Sequence, residues 1–255
     1  MISAVATIPL NFSHPPIVEA VLDIDCDQPP GRPLEQLESA ARDCYSVRYP
    51  QVRSQIVQEH QFEIKGGEPP VMSARSALAA FQFLQADEKQ LVQIRALGFS
   101  FNRLAPYTGF DEMMAEVERT WRLYVRIASP VQVRVIRLRY INRILLPLTD
   151  GWVDLDEYLK VGPKLPDEER LAFGGFLNQQ VAIEKGTGHQ AVTVLTTQPV
   201  EGDKLPLIFD NSVTASEPRE PTDWPSILQN IRALRDLKNH IFKRTLTAKC
   251  LNLFR

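Results

Sequence analysis

The stretch RVIRLRYINRI, Arg134 to Ile144, alternates arginines with large apolar side chains at a period of two, and this constrains the fold more than any other feature of the chain. Successive side chains of a β-strand leave on opposite faces. One face therefore takes Ile136, Leu138, Tyr140 and Ile144 with Arg134 and Asn142, and the other takes Arg137, Arg139, Ile141 and Arg143. A strand with a dry face and a charged face belongs to an antiparallel sheet with one solvated side.

The rest of the chain supplies partners for that strand. Val18, Ala20, Leu22 and Ile24 alternate in PIVEAVLDIDC, which predicts a strand. Leu34, Leu37, Ala41, Cys44 and Tyr45 recur at helical spacing between Pro33 and Pro50. Antiparallel strands are then expected in SQIVQEHQFEI up to Gly66-Gly67, AAFQFLQ, LVQIRAL after the turn at Ala86 to Lys89, and FSFNRL. A helix follows, with Phe110, Met113, Met114, Val117, Trp121, Tyr124, Val125 and Ala128 on one face and Thr108 and Asp111 placed as a capping box. Beyond Pro130 the order repeats: the arginine strand, a short helix near Leu155 to Leu159, strands in LAFGGFLNQQVAIE, HQAVTVLTT and LPLIFDNSV, and a helix from about Asp223 to Thr247. The expectation is an α+β fold built as a duplicated strand, helix, antiparallel strands, helix unit. The halves are residues 1–129 and 130–255, with their two sheets packed or merged into one body.

A formal net charge of -2 over 255 residues gives no global field for nucleic acid or anionic membrane, so an anion-binding function must rest on local clustering. Cys26, Cys44 and Cys250 are scattered and lack a CxxC pair, which favours a reducing cytoplasm over a disulfide framework or zinc site. MISAVATIPLNFSHPP lacks the basic start of a signal peptide, and no apolar run reaches the roughly 20 residues of a membrane span. No metal or cofactor motif is complete: there is no HExxH, no GxSxG, and KGTGHQ sits between strands rather than before a helix. The carboxylates Asp150, Asp154, Asp156 and Glu157 coincide with a helix start and read as caps.

Arg137, Arg139 and Arg143 are the first candidates for a ligand or partner surface, because guanidinium forks suit carboxylate and phosphate. The competing structural reading pairs them with acids across the strands, such as Glu59, Glu63 or Glu184. In FSFNRLAPY, Phe99, Phe101, Arg103 and Tyr107 share one phase, which suits base stacking or peptide binding if exposed and core packing if not. His240 follows Asp236 by one helical turn, so an Asp–His pair is a candidate general base or orienting pair.

PPIVEAVLDI, FSFNRLAPY, IRLRYINRI and LKNHIFKRTLT together resemble a sporadically distributed bacterial family of roughly 250-residue proteins of unknown function. The matching positions are Pro16, Glu19, Phe101, Asn102, Arg103, Tyr107, Arg139, Tyr140, Asn142, Arg143 and His240. LPLIFDNSV departs from that family's usual acidic ending, keeping Asp210 alone. The resemblance carries no established activity; its patchy distribution implies a mobile-element, defence or toxin-neutralising context.

These readings converge on a non-catalytic binding protein, defence-associated, immunity or regulatory in kind, that grips an acidic protein or anionic small molecule through Arg103, Tyr107, Arg137, Arg139, Arg143 and His240. One alternative is an enzyme acting on a phosphorylated or carboxylated small molecule in a cleft between the halves, with the arginines as clamp and His240 or Glu63 as acid-base group. A further alternative is nucleic-acid binding through the same arginines.

Overall fold

Burial along the arginine strand follows its sequence period. Ile136, Leu138, Tyr140, Ile144 and Leu146 are buried and Arg137, Arg139 and Arg143 are partly exposed. The computed structural model describes residues 12–63, 71–167 and 169–255; the turn expected at Gly66-Gly67 and most of the stretch read for a signal peptide lie outside them.

In chain order the elements are β1 (Ile17–Asp27), α1 (Glu38–Tyr45), β2 (Gln51–Glu63), β3 (Val71–Leu84), β4 (Gln90–Arg95), β5 (Gly98–Leu104), α2 (Phe110–Ala128), β6 (Gln132–Pro147), β7 (Leu177–Ile183), β8 (Gln190–Thr197), β9 (Lys204–Ala215), α3 (Trp224–Thr245) and α4 (Ala248–Asn252). The strands form one antiparallel sheet of nine, ordered β2-β3-β4-β5-β1-β6-β9-β8-β7. The two expected sheets are thus merged, with β1 and β6 paired at the centre through Leu22–Leu138 and Ala20–Tyr140.

The helices gather on one face because their apolar stripes match the dry face of the central strands. Met113, Val117, Trp121 and Tyr124 of α2 and Ile227, Ile231 and Leu234 of α3 share a core with Leu22, Ile24, Phe99, Phe101, Ile136 and Leu138. Phe99 meets Trp121 edge-on at 5.6 Å between ring centroids, and Phe209 stacks on Phe242 at 5.5 Å in a second cluster beneath the end of α3. Both clusters draw on this side of the sheet, so among the described residues its other face is free of helices.

Local differences from the sequence reading have local causes. Arg134 leaves the core face because β6 carries a bulge there: Val133 pairs with Cys26 and Val135 with Asp25, so Arg134 is the extra residue and turns outward to Asp27 at 2.6 Å. The helix expected over residues 33–50 begins with a 3-10 turn at Leu34–Leu37, and that near Leu155 is a 3-10 turn over Leu155–Glu157, where Asp154 accepts from the Asp156 amide. The strand read across residues 171–184 shrinks to β7, whereas β3 extends back to Val71. Thr108 and Asp111 form no capping box: α2 starts from Gly109, and no side chain caps it. No described helix is long and apolar enough to cross a membrane.

Candidate functional site

On the helix-free face the arginines of β6 meet acids from β1, from β9 and from the turn that leads into β9. Arg137 lies 3.5 Å from Asp23 of β1, and Arg139 donates to both carboxylate oxygens of Asp210 on β9 from 2.5 to 3.1 Å. Arg143 pairs with Glu201 at 2.5 Å and donates to Gln198. The acids differ from the expected Glu59, Glu63 and Glu184; the side chains of Glu59 and Glu63 lie outside those described, and Glu184 sits beside His189 at 3.4 Å. The pairing continues outward through Arg95 to Asp25 at 2.5 Å and through the Gln82, Gln93, Asn102, Glu19 hydrogen-bond chain. The premise of three guanidinium groups awaiting an external anion is therefore corrected: each has an internal counter-ion, and its bond to Asp210 pushes Arg139 further into its charged form.

The other candidates lie elsewhere. Phe99 and Phe101 are core, so they offer no stacking platform. Arg103 shares their side of the sheet, and its Nε is buried without a hydrogen-bond partner. His240 is exposed on α3, unbonded to Asp236, on the opposite side of the sheet from Arg137, Arg139 and Arg143. Arginines and histidine therefore do not converge on one site. Tyr107 does reach a concavity, where its hydroxyl lies 2.8 Å from that of Tyr140.

That concavity is a cavity of about 500 Å³ between the start of α2, the middle of α3 and the β1–β6 centre of the sheet. Pro16, Tyr107, Tyr140 and Asn142 line it, together with Phe12, Phe110 and Phe242. Its charged lining comprises Arg235 and Lys238 from α3 and Asp111 and Glu112 from α2. Both acids are exposed, whereas Lys238 retains only 8% of its accessible surface. The Arg235 guanidinium rests on the Phe110 ring at 4.3 Å and the Lys238 Nζ on the Tyr140 ring at 3.6 Å. Neither cation makes a hydrogen bond or ion pair among the described residues. The uncapped first turn of α2 brings the positive end of a 19-residue helix to the same wall.

Lys238 is the residue under physical tension. Burial, and then the neighbouring charge of Arg235, lower its pKa from an ordinary 10.5 to about 7. Such a displacement corresponds to about 5 kcal/mol against the charged form, whereas a cation over an aromatic ring returns about 2 kcal/mol. Burial likewise raises the Tyr107 hydroxyl to about 12 and Tyr140 well above the ordinary range, so both are protonated donors near neutrality. It also lifts the thiols of Cys26 and Cys250 to about 12, which leaves neither as a ready nucleophile.

Lys238 was within reach of the sequence. It lies four residues after Leu234 and four before Phe242, inside the buried stripe of α3, where a lysine is out of place. A larger hollow of about 740 Å³ lies among loops at residues 148–176 and 197–205, but its one lining lysine, Lys164, already meets Asp156. Among the described residues no group of three or more His, Cys, Asp or Glu is disposed to hold a metal ion. Set against protein-family models, curated proteins and solved structures, the chain matches none of them.

Proposed function

We propose that the protein binds an anionic small molecule, a carboxylate or phosphate attached to an apolar or aromatic body, in the cavity between α2 and α3. The observation that carries this reading is Lys238, a cation more than nine-tenths buried and facing no acid within bonding distance among the described residues. A buried unpaired charge costs several kcal/mol and persists where a ligand completes it. Arg235 supplies a second cation, the start of α2 supplies amide donors, Asn142 and Asn239 supply polar groups, and the aromatic walls accommodate the rest of the ligand. A cavity of about 500 Å³ suits a small molecule better than a protein surface. This retains recognition of an anion and moves it off the arginine face, where Asp23, Asp210 and Glu201 occupy the guanidinium groups.

The reading includes duplication of the α+β unit. The four strands from residues 51–104 lie on the β1 side of the central pair and the three from residues 177–215 on the β6 side, and this mirrored order supports a ligand site at the seam of two related halves. Free thiols at Cys26, Cys44 and Cys250 support a reducing, cytoplasmic setting.

Thermal unfolding at pH 6.5 with increasing inorganic phosphate tests the proposal. Phosphate is expected to raise the Tm of the wild type and of Arg139→Ala, and to leave that of Lys238→Met unmoved. An unmoved wild type, or an equal rise in Lys238→Met, overturns it.

A further inference from the structure

We propose that Lys238 is a reactive amine that condenses with the carbonyl group of an anionic aldehyde or ketone held in the cavity, forming an imine. The inference rests on the anion site above for its location and goes beyond it in chemistry. For charge recognition alone a second arginine would serve better, because a guanidinium keeps its charge in any surroundings. An amine in the same place does something a guanidinium cannot: it loses its proton and becomes a nucleophile.

The groups around it suit that role. From α3, Arg235 precedes Lys238 by three residues and lines the same cavity, so its fixed charge both repels the ammonium form and is available to a carboxylate or phosphate on the substrate. From β6, the Tyr140 ring packs against Nζ, while Tyr107 and Tyr140 pair their hydroxyls in the cavity wall. From α2, Asp111 and Glu112 line the rim but are exposed and form no ion pair with Lys238. An amine that held a carboxylate would be locked as ammonium; among the described residues no acid does so. With its pKa lowered to about 7, a substantial fraction is free base at neutral pH.

The step balances without any oxidant or reductant. The Nζ lone pair adds to the carbonyl carbon, the carbonyl π pair moves to oxygen, and that oxygen takes a proton while nitrogen loses one, giving a carbinolamine. A C=N bond then forms as the hydroxyl departs with a proton as water, for which the Tyr107–Tyr140 hydroxyl pair is a protonated donor set in the wall. The net change is carbonyl plus amine giving imine plus water.

Pyridoxal 5′-phosphate, an aromatic aldehyde carrying a phosphate, is the probe. The full-length protein is mixed with it at pH 7, reduced with borohydride, digested and mapped by mass spectrometry. At that pH an amine of pKa 7 holds about a thousandfold more free base than one near 10.5, so even with restricted access Lys238 is expected to label at least about tenfold faster than exposed Lys89 or Lys185. Phosphate is expected to slow labelling at Lys238 and not at the exposed lysines. Lys238→Arg keeps the charge and cannot form an imine; it is expected to lose the modified peptide. Labelling spread over surface lysines with Lys238 untouched overturns the inference. If phosphate still stabilises the wild type, that outcome leaves the anion site standing and removes only the imine; if phosphate also fails, both fall.

Discussion

Replacing Lys238 with methionine removes a buried charge while keeping an unbranched side chain against Tyr140, and its effect on stability is expected to depend on pH in a calculable way. In the folded chain Lys238 titrates at about 7 against an ordinary 10.5. Between those values the unfolded chain retains a proton that the folded chain has released, so stability rises with pH through the window and levels off above 10.5. Below pH 7 both forms are protonated and the fold carries the whole cost of the buried ammonium. Integrating the one-proton linkage from pH 7 to pH 9 gives about 2 kcal/mol of added stability from this residue alone. Of the charged or titratable groups facing it, Arg235, Asp111 and Glu112 are common to both proteins, and burial raises Tyr107 and Tyr140 above the pH range of the assay. Urea unfolding at pH 7 and pH 9, in low salt, is the assay. The wild type is expected to gain about 2 kcal/mol over Lys238→Met between the two pH values, with the variant the more stable at pH 7. Parallel pH dependence in the two proteins would refute the claim that Lys238 is a buried, uncompensated cation.

Further tests address the scaffold and the paired face. Arg139→Ala is expected to lower stability by only about 0.5 to 1 kcal/mol, since the pair with Asp210 is partly solvated, and to leave phosphate-induced stabilisation intact; loss of the phosphate effect in a melting experiment would return the site to the arginine face. Gly98→Ala is expected to cost more than about 3 kcal/mol or abolish soluble folded protein, because Gly98 has φ +146° and a Cβ there would lie 2.2 Å from the Ile24 carbonyl oxygen across the β1–β5 pair. An unchanged circular-dichroism melting curve would contradict the described register.

What the sequence made legible is the part governed by period. The dry and charged faces of β6 and the stripes of α2 and α3 follow from spacing two and spacing 3.6, and the buried sets Ile136, Leu138, Tyr140 and Met113, Val117, Trp121 are those the pattern selects. What it hid depends on register and on long-range pairing. Arg137 and Arg139 find Asp23 and Asp210 only because β1 and β9 flank β6, an order that brings together Arg139 and Asp210 from 71 residues apart along the chain. The Arg134 bulge is an offset of one residue that alternation alone does not reveal. Lys238 drew no reading from the sequence, although it stands inside the apolar stripe of α3. Lysines beside an apolar stripe commonly extend their stems along it and return the ammonium to water, and only the closing of Tyr140 and α2 over α3 shows that this one does not.

The central claim, that Lys238 is a depressed amine waiting for an anion, is tested most directly by following its own titration. NMR of the side-chain methylene beside Nζ in protein with isotopically labelled lysine, assigned through Lys238→Met, gives the midpoint without and with phosphate. The expected result is a midpoint near 7 that climbs when phosphate binds. A midpoint at the ordinary 10.5, or one near 7 that phosphate leaves in place, would contradict the account.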